Sequence, residues 1–220
     1  MAFSDKFLIL TVEKKVRRLT PTGWLLVMCI CIALFFIWRA TILHFLAVNK
    51  PFDTNIWIVE GYVDDTVLDS VANVWKTNPS LLIVCAGMPV KKGEFCTGYS
   101  NAADYNADYL RAQGVDSLQV INALAYPADK ERTYTMALAS KEKLKALGYT
   151  SGQVNIVCMG THARRSWLLY RKAYKPEWDV GVISYPNDDY SEQWWRSSEG
   201  VRAVLFEMIG YVYCVIFFHP

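Results

Sequence analysis

None of the short motifs that announce a common active site occurs in this chain. It has no GxGxxG for a dinucleotide, no GxxxxGK(S/T) phosphate loop and no GxSxG nucleophile elbow. Histidine is scarce, with three in 220 residues, and one of those, His219, is penultimate, which excludes a histidine-rich metal centre. The six cysteines include no CxxC and no Cys/His cluster, so zinc is not expected. With a net charge of +2 and no long basic stripe, the chain lacks the electrostatic footprint of a nucleic-acid binder. There is no internal repeat and no low-complexity tract. A hydrophobic content of 53% excludes a disordered protein.

Long hydrophobic runs, in contrast, are present. Trp24 to Trp38 holds no charge, and the run continues past Arg39 to Leu46, with Thr20 and Pro21 as the N-cap and first-turn pair of a helix. About 20 apolar residues cross a bilayer, so residues 22–47 read as a transmembrane helix whose Arg39 snorkels to the headgroups. A cleaved signal peptide is the rival, but the run is long, begins late and is followed by no clear small-x-small cleavage site. A buried core helix is disfavoured by the lack of a polar face. Five basic residues (Lys6, Lys14, Lys15, Arg17, Arg18) precede the run and Lys50 stands nearly alone after it. The positive-inside rule therefore makes residues 1–21 a cytoplasmic juxtamembrane segment, with a short amphipathic helix as one option there. Residues 51–220 become an extracytoplasmic domain on a single-pass protein of the cytoplasmic membrane.

From Pro51 onward, short apolar runs alternate with amphipathic stretches. Strands are expected at 55–59, 81–85, 118–123, 154–159 and 180–184. Helices are expected from Asp64 or Asp65, over 102–113, over 130–147 and from Thr161 onward. This alternation predicts an α/β domain, a parallel sheet with helices on both faces. Cys85 and Cys158 fall in buried strands. Cys85 and Cys96 are a candidate disulfide pair in an oxidising compartment, although buried free thiols are the preferred reading. The last apolar run, 201–218, carries only Arg202 and Glu207 as charges. Packing against the sheet is preferred for it, with membrane contact near Tyr211 to Phe218 as the alternative.

One stretch breaks a local rule. Thr161 is placed to cap a helix whose first turn holds His162, Arg164 and Arg165, where the macrodipole already puts about half a positive charge. Such cations cost up to about 1 kcal/mol each unless a bound anion, or a carboxylate from elsewhere, offsets them. In open parallel sheets, ligands bind at the carboxyl ends of the strands. That rim collects Glu60 and Gly61 after the first strand and Gly87 to Glu94 after the second. Glu131, Arg132 and Thr133 follow the third, and Gly160, Thr161, His162, Arg164 and Arg165 the fourth. Asp188 to Glu199, with Arg196, Ser197 and Glu199, follows the fifth. The arginines suit a phosphate-containing anion. His162 is a proton carrier with an ordinary pKa near neutrality, and Glu60 is a second candidate acid or base. A divalent ion on Glu60, Asp64 or Asp65 competes with the preferred reading of Asp64 and Asp65 as a helix cap.

Five segments together resemble a known family: VEGYV at 59–63, CAGMP at 85–89, ERTYTMALA at 131–139, GTHARRSWLLYRKAY at 160–174 and WWRSSEGVR at 194–202. They are similar to the domain-of-unknown-function family that includes SanA, ElyC and YdcF, over roughly residues 52–215. The resemblance implies a Rossmann-like α/β domain, often behind one membrane anchor, linked to envelope integrity and to cell-wall or lipid-carrier metabolism. It puts the family's Thr-containing helix start on Thr133 and its His-x-x-Arg signature on His162 and Arg165. Thr135 and Met136 stand where acidic and Asn residues usually follow, and the arginine often found in the first helix is missing. Three functions are then open. The first is an envelope enzyme acting on a phosphorylated or lipid-linked saccharide. The second is a non-catalytic module binding an anionic component or a membrane partner. The third is S-adenosylmethionine binding, which the expected topology disfavours because that cofactor is cytosolic. No cofactor follows from the residues themselves.

Overall fold

The computed structural model describes residues 18–90, 98–128 and 130–220. The juxtamembrane helix, Glu94 and Cys96, and with Cys96 the disulfide pairing, lie outside the described residues. The chain forms two compact units that divide after Ala40. The first consists of most of helix α1 (Pro21–Leu46), which has no side-chain face to bury and is long and apolar enough to cross a membrane. The last turn of α1 belongs to the second unit, where Ile42 and Leu46 are buried.

The second unit alternates strand and helix: β1 (Ile56–Glu60), α2 (Asp65–Thr77), β2 (Leu82–Gly87), α3 (Ala102–Ala112), β3 (Val120–Leu124), α4 (Arg132–Ala146), β4 (Gly152–Met159), α5 (Ala163–Tyr174), β5 (Trp178–Tyr185) and α6 (Ser198–Ile216). All strand pairings are parallel, in the order β3-β2-β1-β4-β5, which is the Rossmann-like α/β arrangement expected. Successive side chains of each strand enter opposite cores, as the period of two requires. Ile58, Val84, Ile156 and Cys158 pack with Met136, Leu144, Tyr170 and Tyr174 of α4 and α5. Val59, Ile83, Cys85 and Val157 pack with Leu68, Val71, Ala107 and Leu110 of α2 and α3. Burial on both faces explains why the strands read as continuous apolar runs. Cys85 and Cys158 are buried free thiols, and burial pushes Cys85 up to about 12.

Two details differ from expectation. The fourth strand is followed by a 3₁₀ turn, Gly160–His162, so α5 begins at Ala163 rather than at a Thr161 cap. The C-terminal run is a helix that packs along α5 and that turn more than against the sheet. The segment after α1 is sewn to the β4 and β5 side: Lys50 and Val182 exchange backbone hydrogen bonds, and the Asn155 amide bonds both the N–H and the carbonyl of Phe52.

Candidate functional site

Strand order reverses between β1 and β4, and the carboxyl ends of these two strands open into a cavity of about 870 Å³. β1 delivers Glu60. Its carbonyl accepts a hydrogen bond from the Asn106 amide of α3, which fixes the strand end, and its side chain turns inward at 4% exposure. One carboxylate oxygen accepts from the Ser166 hydroxyl at 3.0 Å; the other is buried with no hydrogen-bond partner. Burial pushes the Glu60 pKa up, against the opposing pull of His162, Ser166 and Arg165. Ser166 is itself fully buried, which rules it out as a nucleophile for a substrate in the cavity.

β4 delivers the turn. Gly160 has φ +47°, and a Cβ there would lie 2.3 Å from the Tyr190 hydroxyl, so the left-handed turn and the close approach of Tyr190 both require glycine. The Thr161 N–H donates to that hydroxyl at 3.0 Å, and the hydroxyl donates to Thr161 Oγ1 at 3.2 Å. A side chain from a distant loop therefore takes the donor that an anion at this helix start would have used.

The first-turn cations are offset from within the chain. Glu207 of α6 receives Arg165 in a bidentate pair, Nε at 2.7 Å and Nη2 at 3.0 Å, and lies 2.9 Å from His162 Nδ1. Arg165 Nη2 is also 3.0 Å from Nδ1, but arginine can only donate, so a proton on Nδ1 points to Glu207. On the other side, His162 Nε2 is 3.6 Å from Glu60. Burial pulls the His162 pKa down, yet the charges of Glu60 and Glu207 and the Glu207 hydrogen bond outweigh it, and the net shift is upward. Burial raises Glu207, but hydrogen bonds from His162 and Arg165 and their charges bring it down to about 2. Gly210, one turn beyond Glu207, leaves room for the Arg165 stem: a Cβ there would be 3.1 Å from Arg165 Cδ.

The structure brings together Glu60, Glu131, Arg132, Thr133, Thr161, His162 and Arg165 around the one cavity. Arg132 donates to the Tyr62 hydroxyl and stacks over its ring, 4.7 Å from the centroid. Glu131 sits at φ +54° immediately before α4, an uncommon conformation for a side-chain-bearing residue. The other expected residues lie elsewhere. Arg164 turns away, over the Phe45 ring at 3.9 Å and onto the Phe45 carbonyl. Gly61 and Gly87 pack beneath the start of α3; a Cβ on Gly87 would lie 2.2 Å from the Ala103 nitrogen. Ser197 caps α6 through its hydroxyl, and Arg196 lies with it in an adjoining surface cleft. Arg202, not Arg196, reaches the cavity wall.

Glu207 and Arg202 are cavity residues that the rim argument missed; Asp189, Tyr190 and Glu199, from the stretch after the fifth strand, line the cavity too, as does Asp64. A signal for Glu207 existed: a lone carboxylate in an apolar run needs a cation, and three first-turn cations needed an anion. Asp64 is raised by burial and then by the charges of Asp189, Asp188 and Asp65, so the mouth is acidic on that side. Asp64 occupies the N-cap position of α2 without a side-chain cap hydrogen bond. No group of three or more metal-ligating side chains is found among the described residues. Chemically, the site offers proton transfer: His162, with 30% of its side chain exposed, stands between a buried carboxyl pushed up and a paired carboxylate held down. Comparison of the chain with protein-family models, with curated proteins and with solved structures returned no match.

Proposed function

We propose that this chain is a membrane-anchored envelope protein of the SanA, ElyC and YdcF type, with its N-terminus in the cytoplasm and its α/β unit on the far side of the cytoplasmic membrane. In this reading it acts on a phosphorylated or lipid-linked saccharide, and His162 is the group that moves the proton. The observation that supports this reading is the His162 environment at the strand-order reversal, with Glu60 against one ring nitrogen and Glu207 against the other. An imidazolium held by Glu207 through Nδ1 donates one proton to the oxygen that leaves as its bond to the transferred group breaks; water forms the new bond and releases its proton to solvent, and Glu60 sets the basicity of the ring. Arg202 and Arg132, on the wall of the same cavity, face the anionic part of the ligand.

The test uses the full chain and a polyprenyl-diphosphate-linked saccharide. His162→Ala is expected to leave binding within a few-fold of wild type and to lower turnover by about 10²- to 10⁴-fold, the range for loss of a general acid or base. Rescue of an envelope defect by the chain is expected to fail for the same variant. Binding without turnover in the wild type, together with rescue by His162→Ala, would establish instead the second reading, a non-catalytic module for an anionic envelope component. An alkaline phosphatase fused after Pro220 is expected to be active. A dead fusion beside a bright cytoplasmic fluorescent fusion overturns the topology and restores the S-adenosylmethionine reading.

A further inference from the structure

The outward face of α6 is more apolar than a water-facing helix tolerates. Every exposed position from Leu205 to Phe217 is apolar or tyrosine, and Phe206, Ile209, Ile216 and Phe217 are 71%, 64%, 55% and 69% exposed. At about 100° per residue these four fall within one arc roughly 100° wide. The opposite face, with Val204, Glu207, Tyr211 and Cys214, is the one turned to α5 and the site. Soluble surfaces rarely carry a contiguous apolar patch of this kind without a partner.

Two further observations identify what covers it. First, the last turn of α1 is built into the same unit, and its Phe45 ring lies edge-on to Tyr211 of α6 at 5.6 Å. A 26-residue helix at 1.5 Å per residue is about 39 Å long, against roughly 30 Å of hydrocarbon, so a chain crossing the bilayer leaves it close to Phe45 and hence close to Tyr211. Second, part of the carboxyl end of α6 is hydrogen-bonded from within the chain. Lys172 donates to Cys214 at 2.8 Å and to Phe218, and His219 Nε2 lies 3.1 Å from the Ile216 carbonyl. A helix end capped in part from within the chain loses less on leaving bulk water for a headgroup layer.

We infer that α6 is an interfacial helix whose outer stripe lies in the headgroup layer of the bilayer that α1 crosses. Phe206 and Arg202 of this helix also line the cavity, so the mouth of the site opens at the lipid surface and receives an amphiphile directly from the membrane. That last step rests on the saccharide reading above and narrows it to the lipid-linked class; the placement of the helix does not depend on it.

The placement is tested with the full chain in vesicles of phosphatidylethanolamine and phosphatidylglycerol, carrying the photo-reactive residue benzoylphenylalanine at Ile209, Val212 or Ile216. The control is Leu118, 81% exposed and next to the opposite, amino-terminal end of the sheet. Irradiation is expected to yield lipid adducts at the three α6 positions at least tenfold above Leu118. Adducts to a second copy of the chain in place of lipid, or labelling no greater than at Leu118, overturn the proposal. This readout needs no turnover and so stands or falls apart from the activity. For the route to the cavity, Ile209→Asp with Ile216→Asp is expected to reduce turnover of a long-chain lipid-linked saccharide at least tenfold while a short-chain, water-soluble analogue is processed as by wild type. Equal loss on both substrates rejects entry from the membrane.

Discussion

Two ends of the same sheet edge were built for opposite purposes. Where β1 and β2 finish, Gly61 and Gly87 bring backbone against backbone beneath α3, with the virtual Cβ of Gly61 only 2.8 Å from Gly87 Cα. Where β1 and β4 finish, the chain separates around a cavity and fills its wall with ionisable groups. Both ends look alike in sequence, a strand followed by glycine, and the difference lies in what crosses above them. Glycine marks close approach at the first and a left-handed turn at the second, and only the second leaves room for a ligand.

This contrast can be broken most severely at the closed end. Gly87→Ala places a Cβ 2.2 Å from a backbone nitrogen that no rotamer change can move, and a loss of about 3 kcal/mol or more in chemical denaturation is expected. A stability within 0.5 kcal/mol of wild type would mean that α3 is not seated there.

Next comes the open end. Glu207→Ala removes the partner of both His162 and Arg165, which are partly exposed, so the expected loss is about 2 kcal/mol, below the range for a fully buried pair. Its pH signature sharpens the comparison. Glu207 is depressed from 4.5 to about 2, so its contribution is present above 4.5 and is lost as pH falls toward 2. His162 is raised above 6.5, so its contribution is full below 6.5 and is lost as pH rises through the folded value. Glu60, also raised, makes stability fall as pH rises from 4.5 through its folded value. The variant should lose the acid limb and lower the His162 titration midpoint seen by NMR. An unchanged midpoint would show that Glu60 alone sets it.

The smallest effect is expected at Arg196. Arg196→Ala should change stability and ligand affinity little, within about 0.5 kcal/mol, because the residue lies in the adjoining cleft. A larger loss of affinity would extend the site beyond Arg202.

The parallel sheet was legible because burial on both faces leaves continuous apolar runs at regular intervals. β4 and β5 proved longer than the expected apolar runs because Gly152 and Gln153, outside the run of β4, pair with Trp178 and Asp179. Glu60, His162 and Arg165 were legible as a rim because topology alone places strand ends together. Which arginine faces the cavity was not: Arg164 and Arg165 are adjacent, and only the positions of Phe45 and Glu207, more than 40 residues away in either direction, separate their roles. The helix start was misjudged for the same reason. Local rules assign the cap to Thr161, whereas Tyr190 supplies the partner from beyond β5.

That distant partner makes α5 a conditional helix. Its opening turn carries three cationic side chains at the wrong end of the dipole and has no side-chain cap of its own, so an excised peptide of residues 160–175 starts with an unfavourable nucleus and gains nothing locally to offset it. The two groups that reverse this balance, the Tyr190 hydroxyl and the Glu207 carboxylate, are encoded 29 and 42 residues beyond their partners Thr161 and Arg165. A chain truncated before Tyr190 would therefore retain every α5 residue and yet lack what makes its first turn the preferred conformation.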